Sequence, residues 1–444
     1  MKKKINASVL VSLDEVASCV SGYDPDSLNV NDGKKIIKKY LESFRDELSS
    51  ETVPIRESLG RVLFTDLISN INVPPNDNAA MDGYAFNSSI FEMKSEEIIE
   101  LSVVKKIFAG DYKLEPITAD ECVNIMTGAP MPVGCDTVIP QEFVEKKNNT
   151  IRFLRHAVPP LANCRLKGED LTLGKPALLK GKILNPADLG LIASQGFEKI
   201  EVYRKLKVAF FSTGDELVPV GQKIKDGKIY DSNSQTIFAM LTKIGVEIHD
   251  MGLIPDNFNL LEKAFKKAAE IADVTITSGG VSVGEADYTK MVVKKLGDVA
   301  FWKVSMRPGR PMVFGKIWTD EKKNSKDFSL LFGLPGNPVA VMVTFYVFVR
   351  DALIEMMGSS EIKSNLLYVA SSEKIKKKPG RTEYRRGKIN YCDGLRPKVS
   401  LTGSQGSGIL SSMSQADCLV VLDDDTLTVE IGEYVPVLVF DGIM

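Results

Sequence analysis

The sequence predicts an α/β protein of several domains, built around a central, mostly parallel sheet. Three observations lead to this fold class. Strand-like and helix-like segments alternate over residues 205–358, short β-type runs separated by turn residues occur before and after that region, and helix signals occur near the N-terminus and again at Asn185. Alternation favours a parallel sheet covered on both faces, whereas closely spaced short strands favour separate β domains.

The composition is that of a globular protein and argues against several functional classes. The chain has 444 residues, 44% of them hydrophobic, and a net charge of −2, which gives no overall positive field for nucleic acid or an anionic membrane. Its six cysteines are widely spaced and it has two histidines, so neither a zinc site nor a disulfide framework is indicated. The longest apolar segment, 339–349, is shorter than the roughly 20 residues of a membrane helix. We expect a cytoplasmic protein.

The first part of the chain carries helix signals. Ser12 and Glu15 form a capping-box pattern, which predicts a helix over 13–20. A second helix is expected over 32–48, because its apolar residues fall on one stripe. Residues 52–71 are typical of a strand, a turn and another apolar run, and the two prolines that follow at 74 and 75 mark a boundary.

Residues 75–165 are predicted to form an inserted small β domain. Its β-type runs are separated by turn residues at short intervals and cover 98–104, 121–126, 137–140 and 150–154. Helical character returns after the insertion, where Asn185 is a good cap and Pro186 a good first residue for a helix over 187–195. We expect this helix to pack with the first helical part, so that residues 1–74 and 166–205 form one domain.

Residues 206–358 are predicted to form the central α/β domain, and residues 364–444 a small C-terminal β domain. The expected strands are 207–211, 246–251, 274–277, 300–304, 312–317 and 328–332. The expected helices are 234–244, 260–271, 288–296 and 339–357. Sheets of this kind bind ligands outside the carboxyl ends of their strands, so the loops at those ends are the candidate site.

Glycine-rich loops follow three of these strands. Residues 274–277 run into Ser278, Gly279, Gly280 and Gly284, and the other two loops cover 212–217 and 333–338. Glycines let a ligand approach the main chain, and free N–H groups favour anions such as phosphate. The glycine spacing is neither a dinucleotide fingerprint nor a P-loop, and each loop taken singly could be an ordinary α/β connection. The segment 307–311, after the strand that holds Lys303, would add positive charge.

Four blocks of sequence resemble the signature blocks of the MoeA family of molybdopterin molybdenumtransferases. They are residues 277–288, 334–338, 81–85 and 126–130. The C-terminal domain of gephyrin is similar to the same family. The resemblance implies a helical elongated domain for dimerisation, an inserted β domain, a molybdopterin-binding α/β domain and a C-terminal β domain. It also implies a homodimer that converts adenylylated molybdopterin and molybdate, with Mg²⁺, to molybdenum cofactor and AMP.

The resemblance also implies functional positions. Catalytic roles fall on Asp82, Glu216, Asp256 and Asp287, and the last three are also expected to bind Mg²⁺. Substrate-binding roles fall on Thr127, Asp170, Ser278, Gly279, Gly280, Gly284, Lys303, Arg307, Pro335, Gly336, Pro338, Arg386 and Ser407, with Arg386 and Ser407 as candidates for molybdate or a phosphate. Carboxylates suit this chemistry because they transfer protons and bind Mg²⁺ through oxygen. The chain departs from the family pattern at Ala79, where a serine is usual, and at Arg307, where many members have lysine.

Two other functions remain open from the sequence. A related α/β domain alone occurs in enzymes that adenylylate molybdopterin, although that function would leave the first two hundred residues and the C-terminal β domain unexplained. A gephyrin-like scaffold is the other possibility, and it would need no catalysis. We also expect transient contact with other proteins of cofactor biosynthesis, and no binding of nucleic acid or membrane.

Overall fold

The structure, a computed structural model, describes residue 24 and residues 28–42, 48–111, 115–280, 288–323, 328–360, 366–391 and 396–440. The helix predicted over 13–20 lies outside the described residues. No helix in the described part of the chain is long and apolar enough to cross a membrane.

The centre of the molecule is a six-stranded sheet. Its strands are β1 (Lys207–Thr213), β2 (Glu247–Ile254), β3 (Val274–Ser278), β4 (Gly297–Lys303), β5 (Pro311–Trp318) and β6 (Phe328–Leu334). They are ordered β2-β1-β3-β6-β5-β4. The pairings β2–β1, β1–β3 and β3–β6 are parallel, and β5 is antiparallel to both of its neighbours. The predicted mostly parallel sheet is therefore confirmed, and β3 is buried along its whole length, as a central strand of such a sheet should be.

Helices cover both faces of this sheet. The helices α1 (Ser232–Ile244) and α4 (Pro338–Thr344) lie on one face, and α2 (Phe258–Ile271) and α3 (Tyr288–Leu296) lie on the other. Asp231 caps α1 and Asn257 caps α2 through their side chains. The helix predicted over 339–357 is found as three consecutive pieces, in which the π-helix Phe345–Val349 separates α4 from the helix Arg350–Met356.

The helix near the N-terminus packs against the α/β domain. It covers Val30–Glu42 and buries Ile36, Ile37, Tyr40 and Leu41, as its apolar stripe predicts. These side chains join the core formed by one face of the central sheet, where the Tyr40 ring meets Phe314 at a centroid distance of 6.0 Å. The expected packing against the helix after the insertion is therefore wrong for this helix. A stripe predicts which side of a helix is buried but not which surface covers it.

A smaller core joins the segments on either side of the insertion. Strands Ser50–Pro54 and Lys199–Tyr203 pair antiparallel, as do Leu67–Ile68 and Pro176–Leu178. The helix Pro186–Ser194 lies beside the short 3-10 helix Ile55–Glu57. The shared core consists of Val53, Leu63, Leu67, Leu178, Leu184, Ile192, Ile200 and Val202. Residues far apart in sequence thus form one unit around the insertion.

The insertion is a six-stranded β sheet. In sheet order its strands are Thr137–Pro140, Gly83–Phe86, Glu121–Ile125, Ile98–Ile107, Thr150–Leu154 and Glu145–Lys147. Both faces are covered, because Tyr84 and Phe86 belong to one hydrophobic cluster while Ala85 and Val123 belong to another. The short strands expected from the sequence are therefore present.

The C-terminal region forms a closed barrel. Its strands are Leu366–Ser371, Thr382–Asn390, Lys398–Leu401, Cys418–Leu422 and Tyr434–Val439. The pairing of Thr382–Asn390 with Cys418–Leu422 closes the ring and leaves neither strand as a free edge. Met306–Arg307, from the α/β domain, pairs in parallel with Thr382 and Glu383. The barrel is thereby attached beside the segment between β4 and β5.

Lys316 on β5 is buried among aromatic rings. Its Nζ lies 4.6 Å from the centroid of Tyr40 and 5.5 Å from that of Phe328, and the residue is 7% exposed. Burial lowers the pKa of Lys316 to about 8, and the charge of Asp298 opposes this shift. The ring faces favour the charged form, which limits the cost of burying it.

We expect Lys316→Met to stabilise the α/β domain by about 1–2 kcal/mol at pH 7, because the buried charge is removed. Below pH 8 the lysine is charged in both folded and unfolded chains and the cost is fully present. As the pH rises through 8 towards 10.5 the folded lysine loses its proton first, so the gain should shrink. Urea unfolding followed by tryptophan fluorescence measures this domain, since Trp302 and Trp318 are the two tryptophans. The exposed Lys263→Met is the control, and a gain that does not change with pH would contradict the prediction.

Candidate active site

A cleft of about 650 Å³ lies at the carboxyl ends of the parallel strands, beside the barrel. The α/β domain contributes the loops after β1, β2, β3 and β6 and the segment 306–311, and the barrel contributes Arg381 and residues 405–407. Nine of the predicted site residues line it, namely Glu216, Asp256, Gly279, Gly280, Arg307, Pro335, Gly336, Pro338 and Ser407. The three loops predicted to converge do so.

Two glycines allow the loop after β3 to lie against its neighbours. Gly279 has φ +87°, and a Cβ there would overlap the carbonyl oxygen of Thr213 at the end of β1. Gly280 has φ +63°, and a Cβ there would overlap the hydroxyl of Thr289. Both the conformation and the close approach require glycine. The main chain of this loop is therefore exposed to the cleft without intervening side chains.

Three carboxylates lie in the loops after β1 and β2, and two of them, Glu216 and Asp256, line the cleft. The hydroxyl of Thr213 donates a hydrogen bond to Asp256, and the Asp256 N–H donates to the carboxylate of Asp215 at 3.2 Å. A Cβ at Gly214 would lie 2.7 Å from the carboxylate of Glu216, so the glycine makes room for that side chain. Glu216 is exposed and Asp256 is half-buried. The arrangement presents carboxylate oxygens to the cleft, which suits proton transfer or binding of a hard cation.

Three exposed arginines supply positive charge to the same cleft. They are Arg307, Arg310 and Arg381, and none forms an ion pair with another described residue. Arg307 and Arg381 approach each other because Met306–Arg307 pairs with the strand that begins at Thr382. Unpaired guanidinium groups beside exposed main-chain glycines make a site for an oxyanion.

Ser407 lies where the barrel meets α4. Its carbonyl oxygen accepts a hydrogen bond from the Val339 N–H at 3.1 Å, one residue after the start of that helix. The side chain of Asn337, which precedes the helix, forms no capping hydrogen bond. The barrel loop thus satisfies a main-chain donor in the first turn of α4, and this contact holds residues 405–407 at the rim of the cleft.

Arg386 has a different position from the one its predicted role requires. It is 1% exposed and does not line the cleft. Its guanidinium donates to the carbonyl oxygens of Ser404, Gln405 and Gly406 at 3.0 to 3.1 Å, and to the hydroxyl of Ser412 at 3.0 Å. In this geometry Arg386 supports the loop that carries Ser407 instead of contacting a ligand directly. Burial of a long cationic side chain cannot be inferred from its place in a strand pattern.

The remaining predicted residues lie in several places. Ser278 is buried at the end of β3, and Lys303 is half-buried at the end of β4. Asp170 is exposed, and its N–H donates to the carbonyl of Val73 at 3.1 Å. Gly284 and Asp287 lie outside the described residues.

Asp82 and Thr127 form a second exposed polar site, on the inserted β domain. The N–H and the hydroxyl of Thr127 both donate to one carboxylate oxygen of Asp82 at 2.7 Å. The hydroxyl bond, followed by the backbone bond, lowers the pKa of Asp82. Neither residue lines the cleft, and none of the cleft-lining residues belongs to this domain. The two residues are therefore in contact with each other and separate from the cleft of the same chain.

Sequence reasoning missed three residues that line or support the cleft. Arg381 and Gln405 come from the barrel, and Thr213 holds Asp256. For Thr213 a signal existed, since it ends a strand directly before Gly214. For Arg381 and Gln405 no local signal existed, because their position depends on how the barrel docks.

The chain matches three family descriptions in succession. Residues 28–196 match the MoeA N-terminal region (domain I and II), residues 209–355 the probable molybdopterin binding domain, and residues 368–440 the MoeA C-terminal region (domain IV). The cleft lies between the second and third of these regions. Fold and site therefore define a multidomain protein of the molybdopterin-binding class.

Relatives along the whole chain identify the family. The molybdopterin molybdenumtransferase of Haemophilus influenzae is 40% identical over 408 residues, which cover 91% of this chain and 98% of its own. That of a Nostoc species is 33% identical, with 92% and 93% covered. The solved structure of the molybdopterin biosynthesis MoeA protein from Pyrococcus horikoshii superimposes with a TM-score of 0.74 at 29% identity, covering 91% of this chain and 99% of that one. The chain belongs to the MoeA family of molybdopterin molybdenumtransferases, as its signature blocks predicted.

We expect Arg386→Ala to destabilise the barrel by about 3 kcal/mol, because several hydrogen bonds to a buried cation are lost together. Faster amide exchange over 402–412 and a lower melting temperature would be the measurements. Ser407→Ala should leave stability nearly unchanged, since its structural contact uses the main chain. The exposed Arg396→Ala is the matched control in the same barrel. Native exchange rates in the Arg386 variant would show that the arginine does not hold the loop.

Proposed function

We propose that this protein inserts molybdenum, converting adenylylated molybdopterin and molybdate to molybdenum cofactor and AMP. The observation that carries the proposal is the cleft itself, which combines exposed glycine main chain, two carboxylates and three arginines, without ion-pair partners in the described part of the chain, between the molybdopterin-binding region and the barrel. Such a site suits a substrate with phosphate groups together with a second oxyanion. Family membership supports the same reaction.

The substrate phosphates and molybdate are each assigned to a part of the cleft. The phosphates of the substrate would lie on the glycine loop after β3, where Gly279 and Gly280 have no side chain to block approach to the main chain. Molybdate, a dianion, would bind between Arg307 and Arg310 near Ser407. Arg386 would act on molybdate only through the loop it supports. This assignment keeps the two reacting groups within one cleft, as the reaction requires.

Glu216 and Asp256 would assist both parts of the reaction, which are the replacement of molybdate oxygens and the cleavage of the bond to AMP. Dithiolene sulfurs replace oxygens of molybdate, which must leave as water after gaining protons, and the bond to AMP must be cleaved. The Thr213 hydroxyl donates to one carboxylate oxygen of Asp256. The other carboxylate oxygen is available for proton transfer at the cleft. Glu216 faces the same space from the neighbouring loop. Positioned carboxylates of this kind are suited to general acid–base catalysis.

Mg²⁺ is the proposed cofactor, and the carboxylates of the cleft could bind it together with the substrate phosphates. The described residues contain no group of three or more His, Cys, Asp or Glu that could hold a metal ion by themselves. Glu216 and Asp256 do supply hard oxygen ligands, and Mg²⁺ is commonly bound by one or two carboxylates together with substrate phosphates. When bound, the ion would neutralise charge on the phosphates. Asp287 remains a proposed third ligand from the family resemblance.

The alternatives have less support. Adenylylation of molybdopterin would use the α/β region but leaves the barrel arginine Arg381 and the family relationship unexplained. A purely scaffolding role leaves the unpaired charges of the cleft without a purpose. The proposed reaction is cytoplasmic and would involve transient contact with the proteins that supply its substrate.

The reaction is tested by AMP release from adenylylated molybdopterin, which should require molybdate. Net incorporation of AMP from ATP into molybdopterin would instead support the adenylyltransferase. We expect Asp256→Asn to reduce AMP release about 100-fold, as for loss of a general acid or base, and to weaken the dependence on Mg²⁺. Asp250→Asn, on the strand that precedes the Asp256 loop but exposed and outside the cleft, is the control. Unchanged AMP release by the Asp256 variant at saturating Mg²⁺ would refute its role.

We further propose a homodimer in which each active site is shared between two chains. Asp82 and Thr127 carry predicted functional roles but do not line the cleft of their own chain. A two-fold dimer could bring the inserted domain of one chain to the cleft of the other, so that each chain contributes to both sites.

Mixed dimers test this sharing. Chains with Asp82→Asn and chains with Asp256→Asn are each expected to be nearly inactive, and they are mixed after dissociation. Half of the random dimers contain one of each, and each such dimer has one intact site, so activity should return to about a quarter of wild type. If both residues acted within one chain, every site would keep a lesion. Absence of recovery, with mixed dimers verified by native mass spectrometry, would exclude a shared site.

A further inference from the structure

Asn233, the second residue of α1, connects two of the loops that form the cleft. It is 7% exposed, and its Nδ2 donates one hydrogen bond to the Ser278 hydroxyl and another to the Gly336 carbonyl oxygen, both at 2.8 Å. Asn233 itself does not line the cleft. An amide group has two N–H donors, so both are used and each holds a different loop.

The two loops touch at the point that Asn233 connects. Ser278 directly precedes Gly279, whose N–H donates to the Leu334 carbonyl at 3.2 Å. A Cβ at Gly336 would lie 3.9 Å from the Cα of Gly279, so the main chains are in contact there. The Ser278 hydroxyl also donates to the carbonyl of Pro335 at 3.4 Å. The relative position of the two loops therefore depends on a few hydrogen bonds, and Asn233 contributes two of them.

The amide oxygen of Asn233 indicates that an asparagine is required at this position for its two N–H donors. Its Oδ1 is buried and has no hydrogen-bond partner among the residues that the structure describes. A buried acceptor without a partner is unfavourable, and an apolar side chain of similar size would avoid that cost. The backbone of Asn233 is fixed as well, because Asp231 caps the helix by accepting from the Ser234 N–H at 3.1 Å. The amide is thus held with both donors directed at the loops.

We propose that Asn233 is a positioning residue that sets the spacing between the glycine loop after β3 and the loop 335–338, and so the geometry in which the substrate phosphates bind. This inference rests on the proposed function for the identity of the substrate. Its structural part, the coupling of the two loops, does not depend on the reaction.

The test is Asn233→Asp, which keeps the shape of the side chain but replaces both donors with an acceptor facing the Gly336 carbonyl. We expect the Gly279 and Val339 amides, which hydrogen-bond to Leu334 and Ser407, to exchange with deuterium at least tenfold faster. In the same variant kcat/KM for adenylylated molybdopterin should fall at least tenfold, and the melting temperature should fall as well, because the new carboxylate is buried and faces a carbonyl oxygen. Asn390→Asp is the matched control, because its amide also donates to a serine, Ser400, at 3.0 Å in the barrel.

The results of these experiments distinguish failure of the role proposed for Asn233 from failure of the proposed function. If wild-type protein releases no AMP, the proposed function fails, and the exchange rates alone decide the role of Asn233. Exchange within twofold of wild type at both loops would overturn the inference. A lower melting temperature with unchanged KM and kcat would also overturn it, since that is the result of a purely structural residue. Should Asn233→Asp not fold, Asn233→Ser, which is smaller and uncharged, is measured with the same criteria.

Discussion

The cleft depends on a close approach of main chain to main chain at the carboxyl edge of the sheet. Gly279 lies against the Thr213 carbonyl, and no residue with a Cβ could take its place. Parallel strands β1, β3 and β6 end side by side, so their loops would compete for the same space if they carried bulky side chains. Glycine removes that conflict. The loops then leave an open space in which a ligand can approach the main chain of Gly279 and Gly280.

The charge in this space comes from a second domain and from the segment that connects to it. The pairing of Met306–Arg307 with Thr382 and Glu383 places Arg307 and Arg381 at the same rim. The bond from Val339 to Ser407 fixes the other side of the barrel to α4. Burial of the Arg386 charge is expensive unless its donors are satisfied, and the carbonyls of one loop satisfy them. The barrel therefore holds Arg381 and residues 405–407 in fixed positions at the cleft.

The sequence predicts those features that are encoded locally. Periodicity, caps and glycines locate β3, α1 to α4 and the three loops, because such signals depend on neighbouring residues. Features that depend on contacts between residues far apart in sequence leave no such local signal. The apolar stripe of Val30–Glu42 does not specify the α/β core as its partner, and alternating residues do not specify that a barrel closes. Arg386 is buried in the middle of the strand Thr382–Asn390, whereas Arg381, directly before that strand, is exposed, and this difference arises from tertiary packing.

The separation of Asp82 from the cleft has an electrostatic consequence. Two hydrogen bonds from Thr127 stabilise the charged carboxylate and lower its pKa, so Asp82 keeps its charge to lower pH than an ordinary aspartate does. The cleft holds three arginines without ion-pair partners among the described residues, together with Glu216 and Asp256. An additional carboxylate brought to this rim would be attracted by the arginines before substrate binds and would be repelled by a bound phosphate or molybdate. A carboxylate supplied to this rim by a second domain would therefore oppose the attraction between the arginines and an anionic product, and so favour its release.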